Sequence, residues 1–129
     1  MPIEYQIDHV RRRVIATGRG TLGSQDFFGY QRDVWSLPEV TGYDELVDMS
    51  AVEHIEQPSI ARIMSLAQLS AAMDHGGTVS KFAIVAPGDL AFGMGRMYQT
   101  HREMEASSNK RVGVFRSLPE ALAFLDAEE

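Results

Sequence analysis

The sequence predicts an α/β fold, in which a mixed sheet of about five strands is covered by four helices in the order ββαβαβαβα. An alternating hairpin opens the chain, and short apolar runs then alternate with amphipathic stretches of helix length. The run KFAIVA shows almost no alternation, which is typical of a central strand covered on both faces. Strands that alternate with helices pair in parallel through right-handed crossovers, while the hairpin adds one antiparallel strand.

The first third of the chain predicts the hairpin and one helix. IEYQID places Ile3, Tyr5 and Ile7 on one face, and RRVIATG resumes the alternation after a charged turn. Ser24 is a good N-cap for the helix that follows. The glycines of GRGTLG, residues 18–23, fit the G-x-G-x-x-G pattern of dinucleotide-binding turns. Because the preceding strand belongs to a hairpin, we interpret these glycines as relieving a bend at the strand end.

The remaining elements alternate strictly. ELVDM predicts a short buried strand, Pro58 suits the first turn of the next helix, and DHGGT ends that helix. A third helix starts at Pro87, and RVGVF predicts the last strand. Ser117, with Glu120 three positions later, forms a capping box for the last helix. A chain of 129 residues suits a single domain, residues 1–129.

Composition argues against several classes of function. The chain has no cysteine, which excludes disulfides and thiolate chemistry, and its four histidines show no short metal-site spacing, so we predict no cofactor. A net charge of −6 argues against nucleic-acid partners, because affinity there comes mostly from neutralising phosphates. There is no run of the about 18–20 apolar residues that a membrane span needs, and no secretory signal pattern. We therefore expect a cytoplasmic protein without an integral membrane span.

Four segments carry a family resemblance: VIATGRG in the hairpin, YDELVDMSAVEHI at the third strand, KFAIVAP at the fourth, and VGVFRSLPEALAFL at the end. They resemble the SpoIIAA-like family, also called STAS-like, after the sulfate-transporter and anti-sigma-factor-antagonist modules. The resemblance covers nearly the whole chain and implies a SpoIIAA-like sheet. None of these segments is a catalytic motif, so we predict a protein that is not an enzyme.

The same resemblance implies a candidate switch loop. In the anti-sigma-factor antagonists, a strand ending in Asp-Leu-Ser leads to an Asp-Ser-Ser-Gly turn, where the partner kinase phosphorylates a serine. Asp48 and Ser50 match the strand end, but the acceptor position falls on Pro58, and Ser59 lies one position later. Asp48, Ser50 and Ser59 are therefore candidate switch residues. The alternative is a local role, in which Asp48 and Ser50 hydrogen-bond nearby backbone amides.

The third predicted helix carries a second candidate site. Gly93 and Gly95 cost about 1 kcal/mol each inside a helix, which indicates that something approaches the backbone closely. Methionines adapt to irregular shapes, and one stripe of this helix runs through Leu90, Met94, Met97, His101 and Met104. Core packing, a homodimer face and an apolar ligand pocket all stay open as interpretations. The candidate dimer or ligand face comprises Phe92, Met94, Met97, Tyr98 and His101.

From these patterns we predict a non-catalytic binding or interaction module that is homodimeric, with a regulatory role as one option. The alternative is a small carrier that holds an apolar or amphipathic ligand between the sheet and the helices. The expected partners are accordingly a second copy of the chain, another protein or a small apolar ligand.

Overall fold

The structure is a computed structural model that describes residues 2–56, 59–74, 79–105 and 108–127. The strands are β1 (Ile3–Asp8), β2 (Arg13–Leu22), β3 (Asp44–Ile55), β4 (Ser80–Val85) and β5 (Lys110–Phe115). The helices are α1 (Ser24–Trp35), α2 (Ile60–Ala72), α3 (Asp89–Met104) and α4 (Leu118–Asp126). A short 3-10 helix, Pro38–Val40, precedes β3. Pro58, predicted in the first turn of α2, lies outside the described residues.

The five strands form a mixed sheet in the order β1-β2-β3-β4-β5. β1 pairs with β2 in antiparallel register, and the other three pairs are parallel, as the alternation of strands and helices predicts. The predicted α/β fold and its order of elements are therefore confirmed.

Side chains that alternate along the strands divide the interior into two apolar cores. Val47 and Ile84 belong to the larger core, which lies between the sheet and helices α1, α2 and α3. Leu46 and Val85 belong to the smaller core, which α4 covers on the opposite face of the sheet. Since β4 contributes to both cores, it is buried along its whole length, in agreement with its lack of alternation.

β3 is longer than the predicted ELVDM strand, so the prediction that the strand ends near Asp48 is wrong. β4 ends opposite Asp48, and β3 continues beside β2 as far as Ile55. The register of β2 against β3 shifts between Thr17 and Arg19 and again just beyond, because β3 carries an extra residue at each shift. Bulges of this kind bend a strand, and here they break the alternation from which a longer strand could have been predicted.

Two glycines of GRGTLG lie inside β2 and permit this bend. Gly20 has a φ of +64°, a conformation that side-chain-bearing residues rarely adopt. A Cβ atom on Gly18 would lie 3.0 Å from both Leu22 and Val52. The glycines therefore permit a bend in the backbone, as the sequence predicts. The bend lies within β2, however, and not at the end of the strand.

The two glycines of α3 differ in their surroundings. A Cβ atom on Gly95 would lie 3.0 Å from Cγ1 of Val114, so the helix lies close to β5 at this point. Gly93 is exposed, and a Cβ atom there would have nothing within 4 Å. The close approach predicted for both glycines is confirmed at Gly95 and wrong at Gly93.

Replacing each of these glycines with alanine should separate helix propensity from packing. Gly93→Ala should raise the free energy of unfolding by about 0.5–1 kcal/mol, because alanine favours the helix and meets no neighbour. Gly95→Ala gains the same propensity but pushes against Val114, so it should be the less stable variant. Urea denaturation of both proteins measures the difference. Equal stabilisation by the two changes would contradict the close packing of α3 on β5.

Candidate functional site

A cavity of about 100 Å³, partly open to solvent, lies in the larger core between the sheet and helices α1, α2 and α3. α3 contributes the small, half-buried residue Ala91 to its lining. The apolar part of the lining includes Phe27, Ile63, Leu66, Ile84, Ala91 and Met94.

The cavity also has a polar wall, formed by Tyr30, Gln31, Glu45, Ser70 and Tyr98. These side chains come from α1, β3, α2 and α3, and all five are buried. Ser70 Oγ donates a hydrogen bond to Gln31 Oε1 at 2.9 Å, which links α2 to α1. Buried polar groups are costly unless they are hydrogen-bonded, so these contacts fix how the helices meet.

Glu45 is the centre of the polar wall. Its side chain is only 3% exposed, and it accepts hydrogen bonds from Tyr30 and Lys110 at 2.8 Å and from Trp35 at 3.1 Å. The Lys110 ammonium also lies 3.2 Å from the centre of the Trp35 ring. Burial lowers the pKa of Lys110, and the neighbouring Glu45 carboxylate opposes that effect. Burial likewise raises the pKa of Tyr30 well above its usual value.

A second buried ion pair adjoins the polar wall. The Arg102 side chain is 1% exposed, and its Nη2 donates to Oδ1 of Asp74 at 2.7 Å. Asp74 also accepts a hydrogen bond from the backbone N–H of Asn109 at 2.8 Å. Nη1 of Arg102 donates to the hydroxyl of Tyr98. Burial raises the pKa of Tyr98 to about 12, so this hydroxyl stays protonated at neutral pH.

The charges around the cavity therefore balance. Glu45 pairs with Lys110, and Asp74 pairs with Arg102. None of these four residues was predicted from the sequence as part of a site, because a charged residue beside an apolar run is most often solvent-exposed. The available signals were weak: Glu45 stands at the head of an apolar strand, and Arg102 lies four positions after Tyr98 on one helix face.

The candidate switch residues lie in two places. Asp48 lies within β3, where its Oδ1 accepts hydrogen bonds from the backbone N–H of Ser50 at 2.9 Å and from Ser50 Oγ at 2.6 Å. This is the local role that the sequence analysis gives as the alternative. Ser59 is the N-cap of α2 and accepts a hydrogen bond from the backbone N–H of Arg62. The regulatory role of these residues stays a prediction.

Ser59 also lines a smaller cavity of about 40 Å³. Ile63 and Met94 line both this cavity and the larger one, so the two spaces are neighbours. The fold thus brings one switch candidate, Ser59, close to one residue of the candidate face on α3, Met94.

The five residues of the candidate face on α3 do not share one environment. Tyr98 is buried in the polar wall, and Met94 lines the larger cavity. Met97 and His101 are half-buried, and Phe92 lies under the guanidinium of Arg116 at 4.0 Å. The fully buried positions of α3 are Gly95, Tyr98 and Arg102. The core-facing line is therefore displaced from the predicted methionine stripe, whose ends, Leu90 and Met104, are exposed.

Across residues 2–56, 59–74, 79–105 and 108–127, no three His, Asp or Glu side chains are grouped so that they could hold a metal ion. Within the same ranges, no helix has the length and apolar character needed to cross a membrane.

Comparison with known proteins identifies the fold. No protein-family model matches this sequence, and no match was found among curated proteins. The crystal structure of an uncharacterized protein of the DUF3478 family from Shewanella loihica PV-4, described as having a SpoIIAA-like fold, is similar to this chain. The two are 15% identical with a TM-score of 0.59, and the match covers 95% of this chain and 93% of that one. The fold of this chain is therefore SpoIIAA-like, as the sequence resemblance predicts.

The raised pKa of Tyr98 predicts how stability depends on alkaline pH. Between the unfolded value of about 10 and the folded value of about 12, the folded state keeps a proton that the unfolded state has lost. This group's contribution to the free energy of unfolding is thus present below pH 10 and is lost as pH rises, by up to about 1.4 kcal/mol per pH unit. Denaturant titrations over this range should show a shallower fall for Tyr98→Phe than for the wild type. Parallel curves would contradict the raised pKa.

Proposed function

We propose that the protein is a non-catalytic binding module that holds a small apolar or amphipathic ligand between the sheet and helices α1, α2 and α3. The observation that carries this proposal is the cavity itself, which combines apolar walls with a few buried, hydrogen-bonded polar groups. Small-molecule sites are typically concave and mostly apolar, with a small number of polar groups that orient the ligand.

The size of the cavity bounds the ligand. Ligand pockets usually enclose about 300–1,000 Å³, and an apolar cavity of about 150 Å³ is enough to bind benzene. A cavity of about 100 Å³ is smaller than either, so the ligand is at most the size of a single ring or a short alkyl chain.

The titratable groups at the cavity support a binding role over a catalytic one. Glu45 is held by three hydrogen bonds, and the proton of Tyr98 is retained by burial. A hydroxyl whose proton is retained in this way is poorly suited to act as a general base near neutral pH. The lack of cysteine supports the further proposal that the protein acts in the cytoplasm.

A second proposal is that the protein is a homodimer that associates through α3. The observation in favour is that Leu90 and Met104, at the two ends of this helix, are 55% and 73% exposed. A contiguous exposed apolar surface is typical of an association site, and the half-buried Met97 lies on the same stripe between these two residues. A regulatory role would fit this assembly, with Ser59 at the start of α2 as the site of modification.

Filling the cavity should abolish binding of a small apolar probe. In Ala91→Leu, the longer side chain enters the cavity, so we expect benzene to bind at least about tenfold more weakly than to the wild type, while the protein stays folded. Ala123→Leu is the matched control, because Ala123 is exposed on α4, across the sheet. Trp35, the single tryptophan, donates hydrogen bonds to Tyr30 and Glu45, so its fluorescence should report the titration. Equal binding by Ala91→Leu and the wild type would refute this site.

Charges introduced on α3 should dissociate the proposed dimer. In Leu90→Glu/Met104→Glu, two carboxylates replace exposed apolar groups, so sedimentation analysis should show a monomer with unchanged thermal stability of the fold. Val10→Glu is the matched control, because Val10 is 93% exposed at the hairpin turn and lies away from α3. A wild-type monomer would remove the dimer proposal, and a dimer that survives the double change would place the interface elsewhere.

A further inference from the structure

We infer that the ligand reaches the larger cavity through the smaller one, and that the side chain of Arg62 is the gate of this passage. This inference rests on the proposed function and adds how access to the binding site is controlled. It follows from the residues that the two cavities share, from the burial of their walls, and from the contacts that join α1 to α2.

The two cavities share part of their walls. The same five side chains, from α1, β3, α2 and α3, line both of them: Phe27, Ile55, Ile63, Leu66 and Met94. All five are apolar, so a small apolar molecule can move from one space to the other without meeting a buried polar group. The two cavities therefore form one continuous path.

Burial falls along this path from the polar wall to the surface. The polar wall, at the inner end, consists of buried side chains. Among the shared residues, Phe27, Leu66 and Met94 are half-buried. The residues that line the smaller cavity alone include Glu56 and Arg62, and both are exposed. The smaller cavity therefore lies on the solvent side of the larger one.

Side-chain contacts hold α1 and α2 together firmly at the buried end. There Ser70 Oγ donates a hydrogen bond to Gln31 Oε1 at 2.9 Å, and Gln31 Nε2 donates to Sδ of Met73 at 3.6 Å. Ser70 and Gln31 are buried, so separating them would leave polar groups unpaired and away from water. The two helices should therefore stay together at this end.

The contact between the two helices at the solvent end is weaker. Arg62 on α2 donates from Nε to Ser24 Oγ on α1 at 3.3 Å, and its guanidinium carbon lies 4.6 Å from the centre of the Phe28 ring. Arg62 is exposed, so water can replace this hydrogen bond when the side chain turns away. Because Ser24, Phe28 and Arg62 all line the smaller cavity, that movement widens the passage.

A gate of this kind controls rates and leaves affinity unchanged. Arg62 lines the smaller cavity but not the larger one, so it does not contact a ligand that occupies the larger cavity. Opening then assists entry and exit equally, and the ratio of the two rate constants stays the same. Loop and side-chain gates of this type open on the microsecond to millisecond timescale, which NMR exchange measurements cover.

Removing the Arg62 side chain tests this inference, with fluorobenzene as the probe and its fluorine resonance as the readout of exchange. In Arg62→Ala, we expect the association and dissociation rate constants both to rise at least about threefold, while the Kd changes less than about twofold. Ser24→Ala removes only the acceptor, so it should raise both rate constants by a smaller factor. Neither residue is buried, so both variants should fold and remain informative.

Arg32→Ala is the matched control. Arg32 is also an exposed arginine, and its guanidinium carbon lies 5.6 Å from the centre of the same Phe28 ring. It belongs to α1, however, and within the described part of the chain it forms no hydrogen bond with α2. The change removes the same charge and a contact with the same ring, so the rate constants should stay at their wild-type values.

The outcomes separate the inference from the proposal beneath it. Unchanged rate constants in Arg62→Ala would overturn the inference and place the entry elsewhere, such as beside the half-buried Ala91. Faster dissociation with unchanged association would also overturn it, because Arg62 would then bind the probe. Equal acceleration in Arg32→Ala would do the same by assigning the effect to charge. Failure of fluorobenzene to bind the wild type would instead overturn the proposed function.

Discussion

The buried carboxylate of Glu45 is the constraint on which the larger core depends. It stands on β3, near the middle of the sheet, and it receives hydrogen bonds from α1 through Tyr30 and Trp35 and from β5 through Lys110. A carboxylate removed from water costs on the order of several kcal/mol unless its partners are all in place. A shift of either element would remove part of the hydrogen bonding to that charge. The carboxylate thus favours one arrangement of α1 and β5 relative to β3.

The same groups that join these elements give the cavity its chemical character. The apolar lining favours any small molecule that leaves water, and it discriminates little between shapes of similar size. The polar wall discriminates more strongly, because a buried donor or acceptor rejects a ligand that leaves it unpaired. In the proposed ligand site, affinity and selectivity would therefore reside in different parts of one space, the apolar lining and the polar wall.

Local patterns predicted the fold, but the site depends on contacts that local patterns do not contain. The lack of alternation in β4 follows from burial on both faces, so it is visible in six consecutive residues. The partners Glu45 and Lys110 are 65 positions apart, and nothing near either residue indicates the pairing. In α3 the prediction followed the methionines, because the line that faces the core includes Gly95 and Arg102, which hydrophobic periodicity discounts. The part of β3 that follows ELVDM was not predicted as a strand, because its bulges interrupt the alternation of buried and exposed side chains.

The buried ion pairs also change which charged side chains are exposed to solvent. Among the described residues, four basic side chains are buried (Arg13, Lys81, Arg102 and Lys110), whereas the buried acids are Glu45 and the almost fully covered Asp74. Folding therefore withdraws more positive than negative charge from the exterior. The charged side chains left at the surface are in consequence more acidic as a set than the composition indicates, while the net charge of −6 still sets the field at a distance. That field disfavours the approach of dissolved anions and leaves uncharged molecules unaffected.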